Sequence, residues 1–186
     1  MNNTILYYTG GATALLFLWL WGAYNGFIKA RNQVKTDFAD VDVQLKRRAS
    51  LIENLAAVVK EYAKHEEDTF KGVAEARSAL NNAQGPKDSA KAEGMFSQTL
   101  RSLFAVSESY PKLRASENFQ KLQDDLKETE DQIAQYREVY NQTVLKYNTK
   151  IQTFPNLLAA GLFGFPEEEL FEVQNPDSTE VNLKTA

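Results

Sequence analysis

The chain has 186 residues, a net charge of −4, one histidine and no cysteine, enough length for one domain with a real core plus an anchor. Lack of cysteine excludes a disulfide framework, thiolate metal sites and a cysteine nucleophile, and the acidic balance argues against a general nucleic-acid binder, which needs clustered Lys and Arg. The charge is unevenly placed: no Asp, Glu, Lys or Arg precedes Lys29.

After a short N-terminus (residues 1–6), an uncharged run extends from Tyr7 to Ile28. Its length of about 22 residues is enough to cross ~30 Å of hydrocarbon at 1.5 Å per residue. Tyr7 and Tyr8 sit at one end, and Trp19, Trp21 and Tyr24 crowd toward the other, as aromatic rings do near headgroups. No basic residue precedes the run, so an uncleaved anchor is expected rather than a secretory signal. Lys29, Arg31 and Lys35 follow it, which by the positive-inside rule places the N-terminus outside and the remaining chain in the cytoplasm. Trp21, Tyr24, Lys29 and Arg31 are the expected headgroup contacts. Gly22 and Gly26 form a G-x-x-x-G that would let two spanning helices approach, although glycine is also common in such helices without that role.

Beyond the anchor, residues 29–173 read as helical throughout. Apolar residues recur at spacings of three and four: Val34, Phe38, Val41, Leu45, then Arg48, then Ile52, Leu55, Val59 and Tyr62, continuing to Phe70 and Val73. This is a coiled-coil-like stripe. With no Pro or Gly from Val34 to Lys71, the spacing predicts one helix running straight out of the membrane to about residue 82, where Gly85-Pro86 ends it. A second helix is predicted from Lys87 or Asp88 to Pro111, with Phe96, Leu100, Leu103 and Phe104 inward. A third starts at an N-cap Ser116, buries a stripe from Phe119 to Ile151 and stops before Pro155. The predicted fold is all-α: a transmembrane helix continuing into a long antiparallel bundle of about three helices plus a short C-terminal segment. Arg48 falls on the apolar stripe, where a cation calls either for an acidic partner on another helix or for snorkelling to the surface.

The predicted second helix can retrace less than half of the first. That leaves Val34, Phe38, Val41, Leu45 and Ile52 without a partner in the same chain, and an apolar stripe of that length marks an interface. These residues, with Gly22 and Gly26, are therefore the expected contact surface of a parallel homo-oligomer. The bland alternative is that the first helix breaks and folds over, or that the second extends further than predicted. At the other end, Leu157, Leu158, Leu162, Phe163 and Phe165 crowd between Pro155 and Pro166. The segment is too short to span a bilayer, so it either caps the bundle or offers an apolar docking surface. A flexible polar tail is expected from Gln174 to Ala186.

Several segments resemble the LemA family in combination: Tyr24-Asn25 with Arg31-Asn32, Asp42-Val43-Gln44-Leu45-Lys46-Arg47-Arg48, Tyr110-Pro111-Lys112-Leu113-Arg114, and the pairs Tyr140-Asn141 and Tyr147-Asn148. The resemblance implies a bacterial protein with an N-terminal anchor and a helical bundle, and it carries no established activity to transfer. Glu53 stands where the family pattern Leu-Ile-Pro-Asn-Leu has proline, so a straighter helix is expected there.

A search for catalytic chemistry finds little. His65 is the single histidine, which rules out His-His ligation within one chain; the run His65-Glu66-Glu67-Asp68 reads as a solvated face. No phosphate loop and no G-x-S-x-G elbow is present. The expectation is a protein without enzymatic activity, catalytic residues, metal or other cofactor. It would be a self-assembling scaffold or adaptor of the bacterial inner membrane, with an unidentified protein partner and no nucleic acid. The alternative is an accessory subunit of another membrane protein, such as a protease or envelope-stress complex.

Overall fold

A computed structural model describes residues 2–172, with side chains from Tyr7 onward; the polar tail from Gln174 to Ala186 lies outside the described residues. Among the described residues there are six helices: α1 (Asn2–Tyr62), α2 (Glu67–Asn81), α3 (Pro86–Glu108), α4 (Pro111–Arg114), α5 (Glu117–Gln152) and α6 (Asn156–Phe163). No strand occurs among the described residues, in keeping with the all-α reading.

The anchor and the first part of the bundle are one continuous 61-residue helix. The N-terminal part of α1 is long and apolar enough to cross a membrane, and Leu15, Leu16, Phe17 and Leu18 project from it with more than half of their surface open. Glu53 sits within this helix and ion-pairs with Arg77 of α2 at 3.2 Å, so the position where proline is expected serves instead as a lateral tie.

Two expectations are corrected. The first helix ends at Tyr62 instead of near residue 82, and α2 starts after a turn at Ala63–Glu66. Between Ala63 and Phe70 the chain offers no core side chain, so nothing holds a straight continuation to the bundle. The charges favour an end here as well: Lys60 lies in the last turn of α1, and Glu67 and Asp68 lie in the first turn of α2, each complementing a helix dipole.

The second correction concerns what covers the stripe of α1. The covering helix is the third predicted one, α5, whose 36 residues span about 54 Å. α5 runs antiparallel to α1, as three contacts show: Lys150 Nζ donates to the Gly26 carbonyl at 2.8 Å, the Phe38 and Tyr140 rings lie 5.5 Å apart, and Arg47 Nη1 donates to Gln132 Oε1 at 3.0 Å. α2 and α3 form a hairpin laid against the distal half of this pair. Leu55, Val59, Val73, Phe96, Leu103 and Ile133 are buried in one continuous core.

Candidate functional site

Two regions concentrate chemistry in the bundle: a buried ionic cluster at mid-height and an apolar and aromatic end where α6 meets α1. Both lie along the stretch of α1 where a self-association face was expected, and there the chain covers itself. Val34, Val41, Leu45 and Ile52 are 0–3% exposed within the single chain, and Phe38 is half-buried against Tyr140. The stripe therefore has a partner, and the inference from its nakedness falls, because α5 is long enough to cover it. The two glycines part company. A Cβ at Gly26 would meet Lys150 Nζ at 2.9 Å, so Gly26 is where Lys150 reaches the α1 backbone; nothing lies within 4 Å of a Cβ at Gly22.

The mid-height cluster brings Arg48 to an acidic partner, the first of the two outcomes open to it on the stripe. Arg48 Nη1 lies 3.4 Å from Glu93 Oε1 of α3, and its Nη2 lies 3.8 Å from Glu130 Oε2 of α5. Arg137 Nη1 donates to both Glu93 oxygens at 3.2 and 3.1 Å. Two cations and two carboxylates thus face one another, with Arg48 and Glu93 almost wholly buried. Burial pushes the Glu93 carboxyl above its ordinary range, opposed by Arg137 and then Arg48. Arg48 Nε has no hydrogen-bond partner, which adds to the desolvation cost of the site. Arg48 Nη2 also donates to Ser97 Oγ at 3.4 Å; each carboxylate is engaged by a permanent cation, and the cluster ties three helices together.

At the other end, α6 lies across α1 where the uncharged run stops. Ala159 and Ala160 face inward and are buried. The Phe163 and Phe165 rings meet Tyr24 edge-on at 5.1 and 5.7 Å, and Phe165 meets Phe27 at 5.2 Å. The opposite face of α6 is open: Leu157, Leu158 and Leu162 are 53%, 64% and 69% exposed. Of the expected headgroup contacts, Trp21 is 60% and Tyr24 40% exposed, and Lys29 is exposed. Arg31 is instead drawn sideways, its Nε donating to Glu168 Oε1 at 2.8 Å.

Gly164 ends α6 in the left-handed region at φ 70°, and the Phe165 N–H returns to the Ala160 carbonyl at 3.0 Å. The chain then doubles back along α5 as an extended strap, residues 165–171. Two asparagines hold it. Asn148 donates through Nδ2 to the Glu168 carbonyl (2.9 Å) and accepts the Glu168 N–H through Oδ1 (2.9 Å). Asn141 does the same for Phe171, at 3.1 and 2.8 Å. The tyrosine before each asparagine adds a hydroxyl donor: Tyr147 to the Pro166 carbonyl at 2.8 Å and Tyr140 to the Glu169 carbonyl at 2.6 Å. The register follows from geometry, since seven helical residues advance about 10.5 Å and three extended residues about 10 Å. Burial, with Glu168 and Glu169 nearby, raises the Tyr140 hydroxyl to about 12; burial also raises Tyr147, against the pull of Arg31. The repeat Tyr140-Asn141 and Tyr147-Asn148 is the sequence signal of this clamp.

Among the described residues no group of three His, Cys, Asp or Glu could hold a metal ion, and His65 is exposed in the α1–α2 turn. A shallow groove of about 220 Å³ between α2 and α3 is lined by Asp68, Gly72, Met95, Gln98 and Thr99 among others. It is open to solvent and holds no buried charged group.

The fold therefore defines an all-helical protein in which an apolar N-terminal helix runs without interruption into a bundle closed by a short apolar helix. The chain belongs to the LemA family, whose model matches residues 37–184. It is similar to the magnetosome proteins MamQ 1 and MamQ 2 of Paramagnetospirillum magneticum, each 25% identical over 184 aligned positions that cover 85% of this chain and 68% of the relative. A magnetosome protein MamQ of Magnetospirillum gryphiswaldense is 24% identical over the same extent. The apolar N-terminal part of α1 points to membrane association.

Proposed function

We propose that this LemA-family protein is a non-enzymatic, membrane-anchored helical scaffold, its anchor crossing the bacterial inner membrane with the N-terminus outside and the bundle in the cytoplasm. The observation that carries this reading is the unbroken α1. A single helix joins the apolar run to the bundle core without a hinge, so the bundle is held at a fixed attitude to whatever the anchor occupies. A rigid mount of this kind suits display of a surface to partners. The basic residues Lys29, Arg31 and Lys35 directly after the uncharged run support the orientation. The relatives' assignment to the magnetosome supports a role at a membrane.

Self-assembly, in this reading, falls to the anchor, where the Gly22 face is open. An accessory subunit of another membrane protein is the second reading, favoured by one observation: the α1 stripe is already covered within one chain and needs no second copy. The mass and shape of the full-length protein in mild detergent, by light scattering and particle imaging, test both. A discrete multimer that dissociates on Gly22→Leu is the result expected of the scaffold. A monomer that copurifies from native membranes at a fixed ratio with another protein would replace it with the second reading.

A further inference from the structure

We infer that α6 is a membrane-embedded element, lying in the cytoplasmic interface of the bilayer with Leu157, Leu158 and Leu162 turned into lipid. This inference rests on the membrane-spanning reading of α1 given above. The first observation is position. α6 packs on α1 at Tyr24 and Phe27 through Phe163 and Phe165, and the first charge of the chain, Lys29, comes only after that level. Trp19, Leu20 and Ala23, further into the uncharged run, are partly covered by the same core. If α1 crosses the bilayer, α6 stands beside its last two turns, within the membrane boundary instead of above it.

The second observation is composition. From Ile151 to Pro166 there is no Asp, Glu, Lys or Arg, while Lys150 and Glu167 bracket the segment. The open face of α6 carries leucines that are more than half exposed, flanked by Phe154 at 77%. On α1, Trp21 is likewise 60% exposed. On a helix of eight residues, about 12 Å long, this pattern suits a segment lying in the interface, too short to span. The third observation is how the charges at its edge are managed. Lys150 turns its Nζ to the Gly26 carbonyl and Arg31 is paired with Glu168, which keeps the ionic groups along one rim.

Lipid is the occupant that the position of α6 beside the uncharged run selects, over a second copy of the chain or another protein. Because the chain has no cysteine, single cysteines can be introduced into the full-length protein, labelled with an environment-sensitive fluorophore and reconstituted in vesicles containing nitroxide-labelled phosphatidylcholine. Leu158→Cys and Leu162→Cys are expected to be quenched as strongly as Leu16→Cys in the anchor. Leu145→Cys, exposed on α5, should keep its emission. Quenching at Leu16 with none at Leu158 and Leu162 would overturn the inference while leaving the anchor in place. Absence of quenching at Leu16 as well would instead overturn the spanning reading of α1. A blue-shifted, unquenched label at Leu158 would place protein on this face and reject lipid. Retained helicity by circular dichroism shows that each variant is folded.

Discussion

The mid-height cluster and the strap clamp both work through α5, one binding it to α1 and α3 and the other to the returning strap, by opposite means. Arg48, Glu93 and Arg137 use full charges taken out of water, so each member is tolerable only while its partners stay. Asn141, Asn148, Tyr140 and Tyr147 use neutral donors and acceptors, each matched to one backbone group of the strap. The first arrangement is selective and fragile, since a buried charge that loses its partner is costly. The second is distributed, and its parts are lost one at a time. The two meet at Arg137, whose guanidinium pairs with Glu93 and also lies 5.7 Å from the Phe171 ring.

The largest effect is expected at Arg48. Arg48→Ala leaves Glu93 with Arg137 alone and should cost roughly 3–5 kcal/mol, read from denaturant unfolding in detergent followed by circular dichroism. A loss no larger than that of a surface substitution would break the contrast. Glu93→Gln keeps the shape and should cost less than Glu93→Ala. Because burial raises the Glu93 carboxyl, the native state takes up its proton at higher pH than the unfolded chain does. Wild-type stability relative to Glu93→Gln should therefore rise as pH falls from 7 toward 4.5.

Next come the asparagines. Asn148→Ala should cost about 1–3 kcal/mol and release the Glu168 amide to hydrogen exchange with little change at mid-height. Asn141→Ala should do the same for Phe171, and unlike Arg48→Ala neither should unfold the bundle. Tyr140 adds a pH signature. With the hydroxyl raised from 10 to about 12, its contribution is complete below pH 10 and is lost as pH climbs toward 12. Exchange at the strap amides should accelerate across that window in wild type, and Tyr140→Phe should lack the Tyr140 part of that rise. The smallest effect belongs to Glu53 and Arg77, an ion pair with both side chains partly exposed. Glu53→Ala should change stability by less than about 1 kcal/mol.

Much of this frame was legible in the sequence because it is local. The spacing of Phe119 through Ile151 pointed to α5 and its N-cap Ser116, and the place of Arg48 on the apolar stripe left two outcomes, a buried pair or a snorkelling side chain, of which the first is found. Which acid would answer it was not legible: Glu93 and Arg137 sit on helices whose rotation about α1 is set by packing alone. The end of α1 was legible but missed, since the lapse in apolar spacing between Tyr62 and Phe70 coincides with basic-then-acidic charge and no Pro or Gly marks it. The expected oligomer face came from matching α1 against the wrong neighbour. The Tyr-Asn repeat was visible as a family resemblance, yet its purpose appears only when a strap of matching rise lies beside it.

The geometry of that strap gives the molecule a mechanical grain. After α6 the chain climbs back along α5, with Glu168 beside Asn148 and Phe171 beside Asn141. A load drawn from Glu172 along the bundle axis, away from α6, would shear both clamps together and share the force between them. A load drawn sideways would peel Phe171 first and Glu168 after it. The C-terminal end of the described chain is thus expected to resist shear and yield to peeling, an anisotropy built from two asparagines set seven residues apart.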